Sequence, residues 1–171
     1  MTSDPHFPPS DQTSPVGFRA HDHDNCVETA LAAAETQCKE RGLRLTPVRR
    51  KVLEMLLQEH RAMGAYAILD RLREAGFGSQ PPVAYRALEF LVKNEFAHKI
   101  ERLNAFVACS HPGAAHSPAF MICRKCDAVA EAQAATAKGG LGAAARAAGF
   151  EIERTVVEAE GLCPDCTEKA Q

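Results

Sequence analysis

The sequence predicts an α+β protein with two folded parts, a winged helix-turn-helix followed by a small α/β domain. Four segments of helical periodicity precede two short β-like runs, which is the order of elements in a winged helix-turn-helix. Two Cys-x-x-Cys pairs then bracket a region that is poor in large apolar side chains. We therefore expect a disordered tail over residues 1–25, the winged helix over 26–110 and the second domain over 111–171.

The expected tail differs in composition from the rest of the chain. Four prolines lie among Ser, Thr and Asp, and such a segment cannot bury enough apolar surface to become ordered. His21 and His23 are potential metal ligands, but ordering a mobile segment around an ion costs conformational entropy. The start of the chain lacks a basic segment followed by an apolar core, so we expect no secretory signal and a cytoplasmic location with reduced cysteines.

Local signals place the elements of the winged helix in order. Val27 begins an apolar helical stripe that Gly42 can end, and Thr46 followed by Pro47 is a typical helix start. Two further helices and a hairpin with a turn at Leu103-Asn104 follow. The predicted spans are about Ala65 to Ala75, Pro81 to about Asn94, Ala97–Glu101 and Ala105–Ala108.

The second domain is predicted to contain three strands and one helix. Their spans are Ala119–Ile122, Ala128–Glu131, Ala134–Ala148 for the helix, and Phe150–Glu158. A core of this size is marginal without a staple. Four thiolates in two Cys-x-x-Cys pairs complete the tetrahedron that zinc accepts, so we expect a structural zinc at Cys123, Cys126, Cys163 and Cys166. Two redox dithiols or two disulfides are the alternatives. The expected reducing location disfavours disulfides, and neither pair lies in the βαβ pattern that is typical of a redox dithiol.

Charge and hydropathy indicate which classes of binding partner to expect. The chain has 171 residues and a net charge of −2, yet residues 26–110 carry 13 Lys and Arg against 10 Asp and Glu, a local charge of +3. This basic section gives weak support for a nucleic-acid partner. No apolar run approaches the roughly 20 residues that a membrane-spanning helix needs, so we expect no membrane partner.

Several motifs together resemble one known family. Arg44–Arg49 (RLTPVR), Ala65-Tyr66, Pro82–Leu88 (PVAYRAL) and Phe96–Lys99 (FAHK) follow the order and spacing of the ferric uptake regulator (Fur) family. The resemblance covers about Val27 to Cys166. It implies a DNA-binding winged helix, a C-terminal α/β dimerisation domain and a homodimer on palindromic double-stranded operator DNA. It also implies that the protein is not an enzyme and has no organic cofactor.

Within this family the chain resembles the zinc uptake regulator branch. A His-rich cluster, typical of iron and peroxide sensors, is absent before the first Cys-x-x-Cys pair, and Cys109 stands at the start of that region. The resemblance implies a regulatory zinc bound by His98, Cys109, His116 and Glu131, which makes two zinc ions per subunit. Thiolate and imidazole ligands favour zinc over manganese or magnesium. We expect this second site to bridge the two domains and to control DNA binding.

The DNA contacts are expected mainly from the fourth helix. Arg86 is the leading base-reading candidate, because an arginine can bond guanine O6 and N7 together. The resemblance implies contacts to thymine methyls, base edges or phosphates from Tyr85 and Tyr66. Arg44 and Arg49 are weaker candidates for phosphate contacts. One departure concerns Val83, which stands where the family usually has a threonine, so any contact from that hydroxyl is missing here.

Two alternatives remain open at this point. The first is a Fur-family sensor of iron, manganese or peroxide. The second is a zinc hydrolase or a thiol oxidoreductase that uses Cys109 or one Cys-x-x-Cys pair. A catalytic zinc keeps one position open for water, and the set of His98, Cys109, His116 and Glu131 leaves none. The sequence therefore favours a zinc-responsive transcriptional repressor of zinc uptake genes over an enzyme.

Overall fold

The computed structural model describes Phe18 and residues 23–59, 61–78, 80–113, 117–133 and 139–169. Within these residues the chain forms six α-helices and six β-strands. The helices are α1 His23–Glu40, α2 Pro47–Leu57, α3 Ala65–Glu74, α4 Pro81–Lys93, α5 Gly140–Ala147 and α6 Pro164–Glu168. The strands are β1 Met63–Gly64, β2 Ala97–Ile100, β3 Ala105–Ala108, β4 Pro118–Cys123, β5 Val129–Gln133 and β6 Val157–Gly161.

The first two helix boundaries follow from local chemistry, as predicted. Gly42 has a φ of 64° after the end of α1, and the N–H of Leu43 donates to the carbonyl of Cys38 at 2.7 Å. This left-handed residue is the usual C-terminal stop of a helix. At the start of α2 the Thr46 hydroxyl accepts a hydrogen bond from the N–H of Arg49. The α1 helix begins at His23, before the expected start at Val27, and the rest of the expected tail lies outside the described residues except for Phe18.

The first sheet forms the wing and packs on the helices. Its strand order is β1-β3-β2, and all pairs are antiparallel. The hairpin of β2 and β3 was predicted, whereas β1 was not, because two residues carry no periodicity. The helices bury a shared core whose fully enclosed members include Val52, Leu56, Ile68, Leu72, Leu88, Leu91 and Phe96. This core fixes α4 against α2, and the opposite face of α4 lies in solvent.

The second sheet determines where the four cysteines meet. Its order is β5-β4-β6, with β5 antiparallel and β6 parallel to β4. The parallel register pairs Cys123 with Gly161. Because parallel strands end at the same edge, the pair that begins at Cys123 and the pair that begins at Cys163 emerge side by side.

Two predicted elements of this domain have wrong boundaries. The last strand begins at Val157 instead of Phe150, because its partner in β4 is Ala119 and β4 itself begins only one residue earlier. Residues before Val157 therefore have no strand of this sheet to pair with. The expected helix from Ala134 begins only at Gly140, since Gly139 has an extended backbone and is its N-cap. Residues 134–138 lie outside the described residues.

The wing and the second sheet share an apolar cluster, which we call the junction core. Its buried members are Ile100, Val107, Phe120, Ile122 and Val129. Polar contacts cross the same boundary, because the Glu158 carboxylate accepts hydrogen bonds from the backbone N–H groups of Glu101 and Arg102 at 2.7 and 3.0 Å. The two parts are thus in direct contact around this core. Among the described helices, none has the length and apolar character that crossing a membrane requires.

Candidate metal centres and nucleic-acid interface

The four predicted cysteines form one compact cluster. The sulfur atoms of Cys123, Cys126, Cys163 and Cys166 all lie within 4.8 Å of one another. The Cys126 and Cys163 sulfurs are 3.7 Å apart. Two zinc–sulfur bonds of about 2.3 Å at a tetrahedral angle separate the sulfurs by about 3.8 Å, so this spacing and this donor set fit zinc.

Each pair sits on a turn that its own backbone closes. After β4 the N–H of Cys123 donates to the carbonyl of Ala128, and the N–H of Asp127 donates to the carbonyl of Cys123, both at 2.9 Å. Asp127 adopts a φ of 57°, which lets the chain reverse directly behind Cys126. Cys163 is the N-cap of the short α6 helix, whose first turn presents Cys166 to the same point. Phe18 and Ala128 pack against the cluster.

The protonation of the cluster is uneven. Burial opposes ionisation of Cys123, but backbone hydrogen bonds from Cys163, Lys125 and Cys126 outweigh it and lower the pKa of this thiol to about 6. Burial raises the pKa of the Cys166 thiol to about 12, and hydrogen bonding to the neighbouring sulfurs adds to this rise. Four adjacent thiolates repel one another, so a divalent cation is what allows all four to ionise together.

A second group of ligand atoms lies at the boundary between the wing and the second sheet. The potential ligand atoms of His98, Cys109 and Glu131 all lie within 4.8 Å of one another. The Nε2 atom of His98 is 3.5 Å from Oε1 of Glu131. Zinc bonds of about 2.0–2.2 Å to nitrogen and oxygen give a similar separation in a tetrahedron. The three side chains therefore fit one zinc ion.

Different elements deliver these three residues. His98 lies on β2 with its ring against Phe120, at 5.4 Å between ring centroids. Cys109 directly follows β3, and its N–H donates to the carbonyl of Phe96 at 3.0 Å. Glu131 lies on β5 and is only 8% exposed. Two parts of the chain must be docked for the three ligands to meet.

The environment of this second group constrains its charges. Burial, followed by the nearby Glu131 carboxylate, raises the pKa of the Cys109 thiol to about 12. Oε2 of Glu131 accepts a hydrogen bond from the N–H of Ser110 at 2.8 Å. The sequence did not indicate this hydrogen bond, because any residue after Cys109 except proline has such a backbone N–H. A buried carboxylate beside a thiol and an imidazole is costly unless it is compensated, and a bound cation compensates it.

His116, the fourth predicted ligand, lies outside the described residues. The three described ligands leave one tetrahedral position for it, so its role stays a prediction. The loop toward it is described as far as Gly113.

The predicted DNA-reading residues lie on exposed surfaces. Tyr85 and Arg86 are exposed on α4, while Ala84, Ala87 and Leu88 on the opposite side are buried. The Tyr85 side chain is 49% exposed. Tyr66, near the start of α3, is 74% exposed. Aromatic side chains this exposed are favourable for contacts with a partner, since water solvates their rings poorly.

The two predicted phosphate contacts differ in their surroundings. The Arg49 guanidinium lies 3.8 Å from the centroid of the Phe90 ring, and its Nη1 donates to the carbonyl of Arg44 at 2.6 Å. Arg49 therefore ties the start of α2 to α4, whereas the Arg44 side chain is exposed. Val83 is half-buried in the first turn of α4.

Comparisons with known proteins agree on one family. The sequence profile of the ferric uptake regulator family matches residues 40–160. The zinc uptake regulation proteins of Escherichia coli strain K12 and Shigella flexneri are each 41% identical to this chain over 143 residues, which is 83% of this chain and 84% of each relative.

Two solved structures are similar over most of the chain. One is a zinc uptake regulator complexed with zinc and DNA, with a TM-score of 0.79 and 39% identity over 84% of this chain and 97% of that one. The other is holo XcZur, with a TM-score of 0.73 and 43% identity over 82% of this chain and 98% of that one.

Proposed function

The chain belongs to the ferric uptake regulator family, and on this premise we propose that it is a zinc-responsive, DNA-binding repressor of zinc uptake genes. The observation that carries the proposal is the meeting of His98, Cys109 and Glu131 at the boundary between the wing and the second sheet. Ligands from both parts of the chain make the relative placement of these parts dependent on a metal ion. The zinc uptake regulation proteins that are 41% identical and the similar zinc- and DNA-bound regulator support zinc as that ion.

We assign the two zinc ions per subunit different roles. Cys123, Cys126, Cys163 and Cys166 would hold a structural ion that closes the second sheet. His98, Cys109 and Glu131, with His116 as the fourth ligand, would hold the regulatory ion. Neutral imidazoles with one thiolate and one carboxylate suit a borderline-soft cation, and four protein ligands leave no place for a catalytic water. This donor set favours a regulator over an enzyme.

The regulatory step is a shift between arrangements of the two parts. His98 and Cys109 belong to the wing and its exit, and Glu131 belongs to β5. When zinc is bound, these residues hold the wing against the second sheet. Zinc shifts the population toward this docked arrangement only by its higher affinity for it, and operator DNA must favour the same arrangement for repression to follow.

The DNA contacts follow from the exposed face of α4. Arg86 would read a guanine in the major groove, with Tyr85 and Tyr66 at base edges or phosphates and Arg44 at the backbone. Arg49 would act by holding α4 through Phe90. We propose that the winged-helix domain, expected over 26–110, also includes the start of α1 from His23, and that residues 111–171 form the dimerisation domain. The functional unit would be a cytoplasmic homodimer on palindromic operator DNA. The two half-sites of such an operator match the separation of the two α4 helices in a dimer.

A metal titration tests this function. The full-length protein, with its structural zinc retained, is mixed with double-stranded DNA from the promoters of zinc uptake genes. We expect tight, sequence-specific binding on addition of zinc, and none at matched free concentrations of iron or manganese. Equal binding with iron or manganese would favour a different metal sensor, and metal-independent binding would overturn the regulatory proposal.

A further inference from the structure

Two side chains near the end of α1 hold segments that lead to the proposed regulatory ligands. Gln37 lies in the last turn of α1 and Arg41 directly follows the helix, where its N–H still donates to the carbonyl of Gln37 at 3.0 Å. The two side chains therefore lie on the same side. Nε2 of Gln37 donates to the carbonyl of Pro112 at 2.9 Å, and Nη1 of Arg41 donates to the carbonyl of Asn94 at 3.2 Å. Pro112 lies three residues after Cys109, and Asn94 lies four residues before His98.

The loop after Cys109 lies directly against the Gln37 amide. Gly113 has a φ of 83°, and a Cβ at this position would lie 2.7 Å from Nε2 of Gln37 and 2.9 Å from its Oε1. A residue with a Cβ here would strain this backbone conformation and displace the Gln37 amide. Oε1 of Gln37 is buried and accepts no hydrogen bond within the described part of the chain. The hydrogen bond from Nε2 of this amide to the loop backbone is a contact that an apolar side chain could not make.

Arg41 makes the corresponding contact at the end of the recognition helix. Its Nη2 donates to Oδ1 of Asn94 at 3.3 Å, and Nδ2 of Asn94 donates to the carbonyl of Phe90 at 2.8 Å. Asn94 is the C-cap of α4 and is only 7% exposed. The next residue, Glu95, has a φ of 62°, and the chain then enters β2 with His98. Arg41 thus fixes the turn that joins α4 to a regulatory ligand.

We propose that Gln37 and Arg41 are positioning residues of the regulatory metal site, and that α1 thereby links this site to the C-terminal end of the DNA-reading helix. The inference rests on the proposed function. Gln37 holds the far end of the segment 109–113, in which the N–H of His111 lies 3.4 Å from the Cys109 sulfur. Arg41 holds the end of α4. The C-terminal end of α1 therefore contacts both the loop after Cys109 and the end of α4.

The first test uses the full-length protein with its structural zinc retained and its regulatory zinc removed by a mild chelator. Gln37→Met keeps the length of the side chain and removes its hydrogen-bond donor. We expect zinc affinity at the regulatory site to fall about 2–10-fold, the usual effect of one lost hydrogen bond. Thr36→Ala is the matched control, because the Thr36 hydroxyl donates to the carbonyl of Ala32 within α1. The structural zinc content should be unchanged in both variants.

A spectroscopic readout separates positioning from simple stabilisation. With Co²⁺ in the regulatory site, the thiolate-to-metal absorption and the visible bands report the geometry around Cys109. Gln37→Met should change these bands, and Thr36→Ala should not. A wild-type spectrum together with wild-type zinc affinity in Gln37→Met overturns the inference, whatever its thermal stability.

The loop side of the contact supplies an independent test. Gly113→Ala places a methyl group against the Gln37 amide and should weaken zinc binding. In the double variant Gln37→Ala/Gly113→Ala the clash is removed, so part of the zinc affinity lost in Gly113→Ala should return. Strictly additive effects would show that the two residues do not act through each other.

Arg41 is tested through the coupling between metal and DNA. Operator DNA should raise the zinc affinity of the wild-type protein by the factor by which zinc raises its DNA affinity. Arg41→Met should reduce this factor at least twofold, and an unchanged factor contradicts the link through α1. If the wild-type protein itself shows no coupling, the proposed function fails, and this result is distinct from unchanged variants of a coupled wild type.

Discussion

The sulfur atoms of Cys126 and Cys163 lie 3.7 Å apart, although 37 positions separate the two residues in the chain. The parallel pairing of β6 with β4 produces this proximity, because both strands end at the same edge of the sheet. The cysteine cluster is therefore both a result of the sheet topology and a restraint on it.

Replacing one of these thiols should destabilise the second domain. Coupled zinc binding can contribute on the order of 10 kcal/mol to the folding of a small domain. We expect Cys126→Ser to lose the structural zinc and to unfold or dissociate into monomers. Metal analysis combined with size-exclusion chromatography checks this outcome. Cys38→Ala, at a buried thiol outside both clusters, is the control and should retain its zinc. A stable Cys126→Ser dimer with full zinc content would contradict the assignment.

Removing the guanidinium of Arg86 should weaken operator binding and relax base preference. Loss of a bidentate contact with guanine typically costs about 1–3 kcal/mol. Fluorescence anisotropy at fixed salt, with operator and with a variant operator, measures both effects. Arg73→Ala is the control because Arg73 is exposed at the end of α3 and pairs with Asp70. Operator affinity equal to that of the wild type would mean that another element reads the bases.

Cys109→Ser should remove the response to zinc without unfolding the protein. The serine hydroxyl is a far weaker zinc ligand than a thiolate, while the four-cysteine cluster is untouched. We expect a folded dimer with one tightly bound zinc per subunit and with operator affinity that no longer rises with added zinc. Calorimetric titration and DNA binding check the two parts. Retained zinc-dependent DNA binding would exclude Cys109 as a regulatory ligand.

Zinc affinity at the regulatory site should fall as the pH is lowered. Burial and the Glu131 carboxylate raise the pKa of Cys109 to about 12, so the thiol is protonated at neutral pH and zinc must displace its proton. For each proton that zinc displaces, the apparent zinc affinity falls about tenfold when the pH is lowered by one unit. Chelator competition over the pH range from about 7 to 9 gives the slope.

Cys109→Asp provides the comparison for this slope. A carboxylate at this position is ionised far more readily than a thiol, so one proton fewer is displaced on zinc binding. We expect the slope to decrease by about one. Equal slopes in the two proteins would show that Cys109 does not ligate the ion.

Local signals predicted the elements that local chemistry determines. Thr46-Pro47 and Gly42 set helix ends through contacts within a few residues, and the structure places both ends there. The start of β6 could not be predicted in this way, because alternation in Phe150–Glu158 says nothing about where β4 begins. The meeting of His98, Cys109 and Glu131 came from family resemblance. The contact between Gln37 and Pro112 spans 75 positions and left no local signal.

The junction core has a consequence for how such regulators can be recombined. Ile100 and Val107 from the wing interlock with Phe120, Ile122 and Val129 from the second sheet, so a splice at residue 110 cuts through a single packed unit. A chimera that joins this winged helix to the second domain of a distant relative would need complementary apolar side chains at the junction core. Operator preference and metal preference are therefore not freely exchangeable modules, and substitutions at these five positions should accompany any viable swap.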